Sequence, residues 1–168
     1  MEKSFFNHSA VKVAEELIGK FLVRNMKGKE CAYMITETEA YDGFEDKASH
    51  AYRGKTKRNE VMFRDAGHIY IYLTYGMHNM LNIVTGDKGY PAAVLIRSVN
   101  EISGPGRLTK KLSITKTLNT KLLEENSKLW IEDRGVKIQK RQIKQTPRIG
   151  INYACEWTDK PYRFILED

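Results

Sequence analysis

At 168 residues and 19.4 kDa, the chain is long enough for one well-formed core and too short for two ordinary domains. With 41% hydrophobic and 29% charged residues it has the composition of a soluble globular protein, which sets aside disordered and fibrous classes. Its formal charge of +7 is concentrated: between Arg107 and Arg148 twelve basic residues stand against four acidic ones, a surplus of eight. A polyanion partner, most often nucleic acid, would account for that excess, and a solvated lysine surface is the plainer alternative. No apolar run approaches the roughly 18 residues a bilayer span needs, and Met1 to His8 holds no apolar signal core. Cys31 and Cys155 form neither a disulfide framework nor a metal-binding spacing. A cytoplasmic protein with no membrane association is expected.

In chain order, Ala10, Val13, Ala14, Leu17 and Ile18 recur at helical spacing behind Ser9, a candidate N-cap, and stop at Gly19. Phe21 to Val23 and Ala32 to Tyr41 read as a hairpin around a turn at Asn25 to Lys29. Residues 42–67 are polar, dotted with glycine and without a period, a length of loop that is usually functional or disordered. Ile69 to Thr74 alternates aliphatic residues with Tyr70 and Tyr72, Tyr75-Gly76-Met77 makes a turn, and Met80 to Val84 returns. Ala92 to Val99 is another strand. Gly104-Pro105-Gly106 opens a short basic helix from Arg107 to Leu112, and Thr120 to Trp130 reads as a further helix. Val136 to Ile138, Ile149 to Tyr153 and Arg163 to Leu166 are late strands. Strands outnumber helices and hairpins dominate, so one α+β domain around a largely antiparallel sheet is expected.

Several residues along this path could carry chemistry. Alternation puts Glu37, Glu39 and Tyr41 on one face near the lip of the long loop, where a carboxylate is well placed as a general base; a solvated edge glutamate is the alternative. His50, His68 and Glu39 lack the spacing of a metal site. Tyr75 at a hairpin tip would be costly to leave in water without a use, and on a basic protein that use would be stacking or insertion between bases; a tyrosine folded back over the core is the alternative. Arg97, inside the apolar run Ala92 to Ile96, needs a carboxylate or an anionic ligand, with Glu39 one candidate partner. Asn82 within Leu81 to Val84 raises the same question more weakly. Gly104 to Lys111 offers free backbone amides followed by cations, suited to phosphate contact, yet lacks the spacing of a nucleotide-hydrolysing loop.

Taken together, these stretches resemble the alkyladenine (3-methyladenine) DNA glycosylase family. The likeness runs through Glu37 to Tyr41, Ser49-His50, Arg58-Asn59, Met62-Phe63, Tyr70 to Met77, Asn82, Leu95 to Arg97, Gly104-Pro105, Arg148 to Gly150, Tyr153-Ala154 and Glu156-Trp157, in the family's order over roughly residues 9 to 166. The resemblance implies a single α+β domain around a curved antiparallel sheet. It implies further that Glu39 deprotonates the water attacking the sugar C1′, with Arg97 and the backbone carbonyl of Ile151 helping to hold that water. Tyr41, His50 and Tyr72 would then sandwich the flipped base, with the His50 amide reading the purine edge and Asn82 obstructing the exocyclic amine of guanine. Tyr75 would fill the gap left in the duplex, flanked by Met77 and His78 in the minor groove, while Arg58, Arg107 and Lys110 would contact the DNA backbone. Met80 stands where some relatives carry a smaller residue, which bears on lesion preference.

On this reading the chain is a monofunctional, monomeric DNA glycosylase that acts on alkylated or deaminated purines in double-stranded DNA. Neither a metal nor an organic cofactor is required. Two other readings use the same residues: a non-catalytic nucleic-acid binder, which would have no need of Glu39, and a metal-dependent nuclease built on Glu39, His50 and nearby acids.

Overall fold

The structure, a computed structural model, describes residues 1–167. Its centre is one long strand. β2 (Lys29–Asp42) follows β1 (Phe21–Met26) through a two-residue turn, Lys27-Gly28, whose left-handed backbone (φ 53° and 84°) gives the twist that a tight hairpin prefers. The first half of β2 pairs with β1, and from Ile35 onward it pairs with β5 (Ala92–Val99). Residues 37–39 also pair with β8 (Arg163–Leu166), so Glu37, Thr38 and Glu39 have a neighbouring strand on both sides.

β3 (Ile69–Thr74) and β4 (His78–Val84) form a hairpin beside β5, β6 (Leu129–Glu132) lies beside β1, and β7 (Ile143–Thr146) beside β8. Every pairing is antiparallel, as the hairpin-rich sequence predicts.

Residues opposite one another across an antiparallel pair point to the same face. One row therefore reads Ile71, Leu81, Ile96, Thr38, Phe164, all buried. Onto that face packs α2 (Ala10–Glu16), whose Ala10, Val13 and Ala14 enter the main core, while the Thr38 hydroxyl donates to the Ala14 carbonyl at 2.8 Å. Ser9 caps α2 as predicted, its Oγ accepting from the Lys12 amide. The neighbouring row on the opposite face reads Tyr70, Asn82, Leu95, Glu39, Arg163. Polar and aromatic residues that one periodicity interleaves with the core are thus collected on the other side of the sheet.

The structure departs from the sequence reading in four places. Thr120 to Trp130 is not a helix: Thr120 and Lys128 adopt left-handed backbone, Glu125–Ser127 make one 3₁₀ turn, and the chain then enters β6, where Leu129 and Ile131 bury against the core and complete the edge of β1. Among the described residues Val136 to Ile138 pairs with no strand, and Ile138 packs instead against Gly19. Ile149 to Tyr153 is a turn, because Gly150 takes φ 76° and the Ile149 amide bonds a side chain, Glu39. Finally, α1 (Lys3–Phe6) and β7 escaped the sequence reading, both being short and β7 half polar.

The β3–β4 hairpin turns on Tyr75 and Gly76, with φ 50° and 68° and the Met77 amide donating to the Thr74 carbonyl at 3.1 Å. Left-handed backbone costs an ordinary side chain roughly 1–2 kcal/mol, while asparagine tolerates it. The Tyr75 ring is 91% exposed and offsets little of that cost. Tyr75→Asn is therefore expected to raise the unfolding free energy by roughly 0.5–1 kcal/mol in urea denaturation. A loss of stability would show that the ring makes a contact the fold depends on.

Candidate active site

The polar face of the sheet floors a cavity of about 580 Å³, within the size range of small-molecule and nucleotide pockets. Tyr70 and Tyr72 from β3, Met80 and Asn82 from β4, Leu95 and Arg97 from β5 and Tyr41 from β2 form the floor and one wall. Ala48 and His50 from the long loop and Ile149 to Ile151 from the late turn close over it. Tyr75, Arg58 and Tyr153 also line it.

The aromatic wall is held edge to face. The His50 ring meets Tyr72 at 4.4 Å between centroids and 75°, and its Nδ1 lies 2.9 Å from the Tyr70 hydroxyl. Burial, assisted by the Arg58 charge, pushes the His50 pKa down to about 4, and burial with the Glu39 charge pushes the Tyr72 phenol up to about 12. Both rings are therefore uncharged near neutral pH. Asn82 is buried, and its Nδ2 donates to the Tyr70 and Met80 carbonyls at 3.3 and 3.2 Å. Its Oδ1 is then the atom left to meet a ligand.

Glu39 is fully buried, which excludes the solvated-edge reading. Its Oε1 accepts from the Ile149 amide at 2.8 Å and lies 3.3 Å from Arg97 Nη1, and its Oε2 accepts from the Tyr41 hydroxyl at 2.9 Å. The carboxylate does not itself line the cavity. It sits directly behind three groups that do: Tyr41, Arg97 and Ile149. Burial and then the Glu39 charge raise the Tyr41 phenol well above its ordinary pKa, so it stays a donor. Arg97 has Nε on Glu37 at 2.9 Å and Nη1 on Glu39, and among the described residues its Nη2 has no protein partner. The guanidinium in an apolar strand is thus satisfied by two carboxylates, one of them the expected Glu39.

Residues 42–67 are largely ordered by buried polar posts that the sequence reading passed over. Asp46 accepts from the Asp42 and Ala48 amides and forms a two-pronged pair with Arg148, both side chains being wholly buried. Arg148 lies 4.8 Å from the Tyr41 ring centroid and donates to the Ala40 carbonyl, which ties the loop to β2 and to the turn that carries Ile149. Asn59 donates to the His50 and Gly54 carbonyls and fixes the stretch between them. In sequence these three look like ordinary loop polars. Asn59 and Arg148 fall within the stretches that resemble the family, without a role of their own, and Asp46 carries no sequence signal.

The remaining expected site residues divide into two groups. Tyr75, Met77 and His78 lie on the β3–β4 turn, and His78 packs closely on Gly106 in α3 (Pro105–Lys111), where Arg107 and Lys110 are exposed. The exposed hairpin tip and the basic helix therefore share one rim. Arg58 sits 5.4 Å above the Tyr72 ring and donates to the Leu73 carbonyl at 3.4 Å, which places it on the cavity wall. Ile151 lines the cavity, but its carbonyl already accepts from the Ala154 amide and the Thr158 hydroxyl, and the turn meets Glu39 through the Ile149 amide instead. His68 bonds the Asp65 carbonyl. Among the described residues, no three His, Cys, Asp or Glu side chains converge as metal ligands.

The sequence profile of the methylpurine-DNA glycosylase family matches residues 4–168. A protein of Methanocella arvoryzae assigned as a 3-methyladenine DNA glycosylase is 42% identical over 184 aligned positions, covering 98% of this chain and 90% of its own. Proteins with the same assignment from Natranaerobius thermophilus (38% identical, 100% of this chain and 96% of theirs) and Borreliella burgdorferi (43%, 100% and 96%) match equally fully. With identity at this level along its whole length, the chain belongs to the methylpurine-DNA glycosylase family and is a DNA glycosylase.

Proposed function

We propose that this chain, acting as a monomer in the cytoplasm, removes alkylated or deaminated purines from double-stranded DNA by simple hydrolysis, with 3-methyladenine, 7-methylguanine, hypoxanthine and ethenoadenine as substrates. Residues 1–168 form a single catalytic unit. A base inside the duplex hides its glycosidic bond, so the nucleotide must swing out at a cost of a few kcal/mol. Tyr75 offsets part of this by stacking in the vacated space, at about 1–3 kcal/mol per base. That use explains why an exposed aromatic is kept on left-handed backbone. Met77, His78, Arg107 and Lys110 follow the groove and phosphates beside it.

The extruded purine lies between Tyr41 and the His50–Tyr72 pair, where electron-rich faces favour a cationic alkylpurine by roughly 0.5–2 kcal/mol when water is excluded. Uncharged His50 does not repel that cation. Asn82 Oδ1, an acceptor, discriminates among purine edges. Glu39 removes a proton from a water whose oxygen bonds C1′, and the electron pair of the breaking C1′–N bond leaves with the base. Arg97 Nη2 orients that water. Because the Tyr41 hydroxyl occupies Glu39 Oε2, that oxygen becomes reachable only as substrate displaces the hydroxyl, so activation of water is coupled to base capture.

The observation that carries this reading is a wholly buried carboxylate bonded by three groups that face the cavity. The experiment is to incubate 3-methyladenine, 7-methylguanine, hypoxanthine and ethenoadenine duplexes with the protein in EDTA and to resolve strands before and after alkali. Breaks that appear only after alkali are expected. Breaks before alkali would indicate a lyase, and intact bases at excess enzyme would overturn the reading.

His50 also sets a pH dependence. Its folded pKa of about 4 lies below the ordinary value of 6.5, so its contribution to stability is present above 6.5 and is lost as pH falls toward 4. Relative to His50→Asn, the wild type should lose about 1–3 kcal/mol between pH 7 and 4 in urea titrations. Parallel curves for the two proteins would contradict a neutral, buried imidazole.

A further inference from the structure

The chemistry above leaves one buried, charged group unused. Glu37 lies two residues before Glu39 on the same face of β2, at a bulge in its pairing with β5. Its Oε1 accepts from Arg97 Nε at 2.9 Å and from Arg163 Nε at 2.7 Å, and its Oε2 accepts from the Ser98 hydroxyl at 2.6 Å. Ser98 Oγ accepts in turn from the Gly104 amide at 3.2 Å, just before α3. Burial opposes the charge on Glu37, but the bonds from Ser98 and Arg163 and the two guanidinium charges outweigh it and hold the carboxyl below its usual range. Two carboxylates and two guanidiniums thus form one cluster of zero net charge.

An arginine beside a single carboxylate takes the two-pronged geometry, with a pair of parallel N–H bonds that occupies both oxygens. Arg97 does not do this to Glu39. Its Nε edge belongs to Glu37, so only Nη1 reaches Glu39, at a loose 3.3 Å, and Nη2 is left over. We propose that Glu37 is a positioning residue of the glycosylase, holding Arg97 partly off Glu39 so that Oε2, bonded only by the Tyr41 hydroxyl, can accept a proton from water once substrate displaces that hydroxyl, and Nη2 can face the substrate. Deprived of Glu37, Arg97 would turn toward a two-pronged pair with Glu39 and compete with the Tyr41 hydroxyl and with water for Oε2. The proposal rests on the reading of Glu39 as the general base. The competing account is structural: Glu37 merely fastens β8 to β2 through Arg163.

Single-turnover base release from a hypoxanthine duplex separates the two, using Glu37→Gln, Arg97→Gln and the double variant. Glu37→Gln should slow release about tenfold or more while its affinity for the lesion duplex stays within about twofold. In the Arg97→Gln background the same change should cost less than about twofold, because Glu37 acts through Arg97. A multiplicative loss in the double variant, or a wild-type rate for Glu37→Gln, would overturn the proposal. Should Glu37→Gln fail to fold, Ser98→Ala loosens only Oε2, and a loss of about threefold that vanishes in the Arg97→Gln background is expected; no loss, or one that persists there, would overturn it. Failure of the underlying reading looks different: Glu39→Gln would release base at the wild-type rate, or the wild-type protein would release none.

Discussion

Everything about this site depends on neutralising charge in the middle of a sheet. Glu37 and Glu39 sit where β2 has a strand on either side, with little or no access to water. Moving one ionised carboxylate into such a place costs several kcal/mol, and pairing rarely recovers more than it costs. A chain selected for stability alone would put apolar residues there. Arg97, Arg163, Ser98, Tyr41 and the Ile149 amide together satisfy both carboxylates, and three of these five face the cavity or belong to residues that do. On the proposed mechanism the cluster is a functional device that the fold tolerates. A simple DNA-binding surface would have no use for it.

The same economy explains the architecture around the cluster. The sheet face turned toward α2 carries the hydrophobic core, so the opposite face is free to hold tyrosines, an asparagine and the charged cluster. What covers that face is irregular chain, and irregular chain near a core must satisfy its own backbone groups. Asp46 with Arg148, and Asn59 with the His50 and Gly54 carbonyls, meet that requirement and in doing so fix the pocket walls. Among the non-glycine residues on left-handed backbone, Tyr75 stands at the hairpin tip, beside the residues expected to enter the duplex.

Much of this was legible in the sequence. Alternation in Ile69 to Thr74 and in Glu37 to Tyr41 assigned the faces of β3 and β2, and the single arginine in an apolar strand demanded the carboxylate it has. Ser9 and Gly19 bounded a helical pattern whose regular part ends at Glu16. Long-range pairing was not legible. Leu129 to Glu132 reads as the end of a helix until the open edge of β1 is there to receive it, and Ile149 reads as a strand until the Glu39 carboxylate takes its amide. Glu37 was placed on the correct face, but the three partners that give it a role come from positions 97, 98 and 163 and no local pattern links them. The buried posts in the long loop were hidden for the same reason: Asp46 and Arg148 are 102 residues apart.

The central claim is that Glu39 activates the attacking water. Its most direct test compares Glu39→Gln with wild type on one ethenoadenine duplex, measuring single-turnover release and equilibrium affinity on the same preparation. The amide keeps the size of the side chain and an oxygen for Ile149 and Arg97, but cannot take a proton. Release should fall by a factor of about 100 or more while affinity stays within a few-fold, since general base catalysis contributes on the order of 10²–10⁴. Release at the wild-type rate by a correctly folded Glu39→Gln protein would contradict the account.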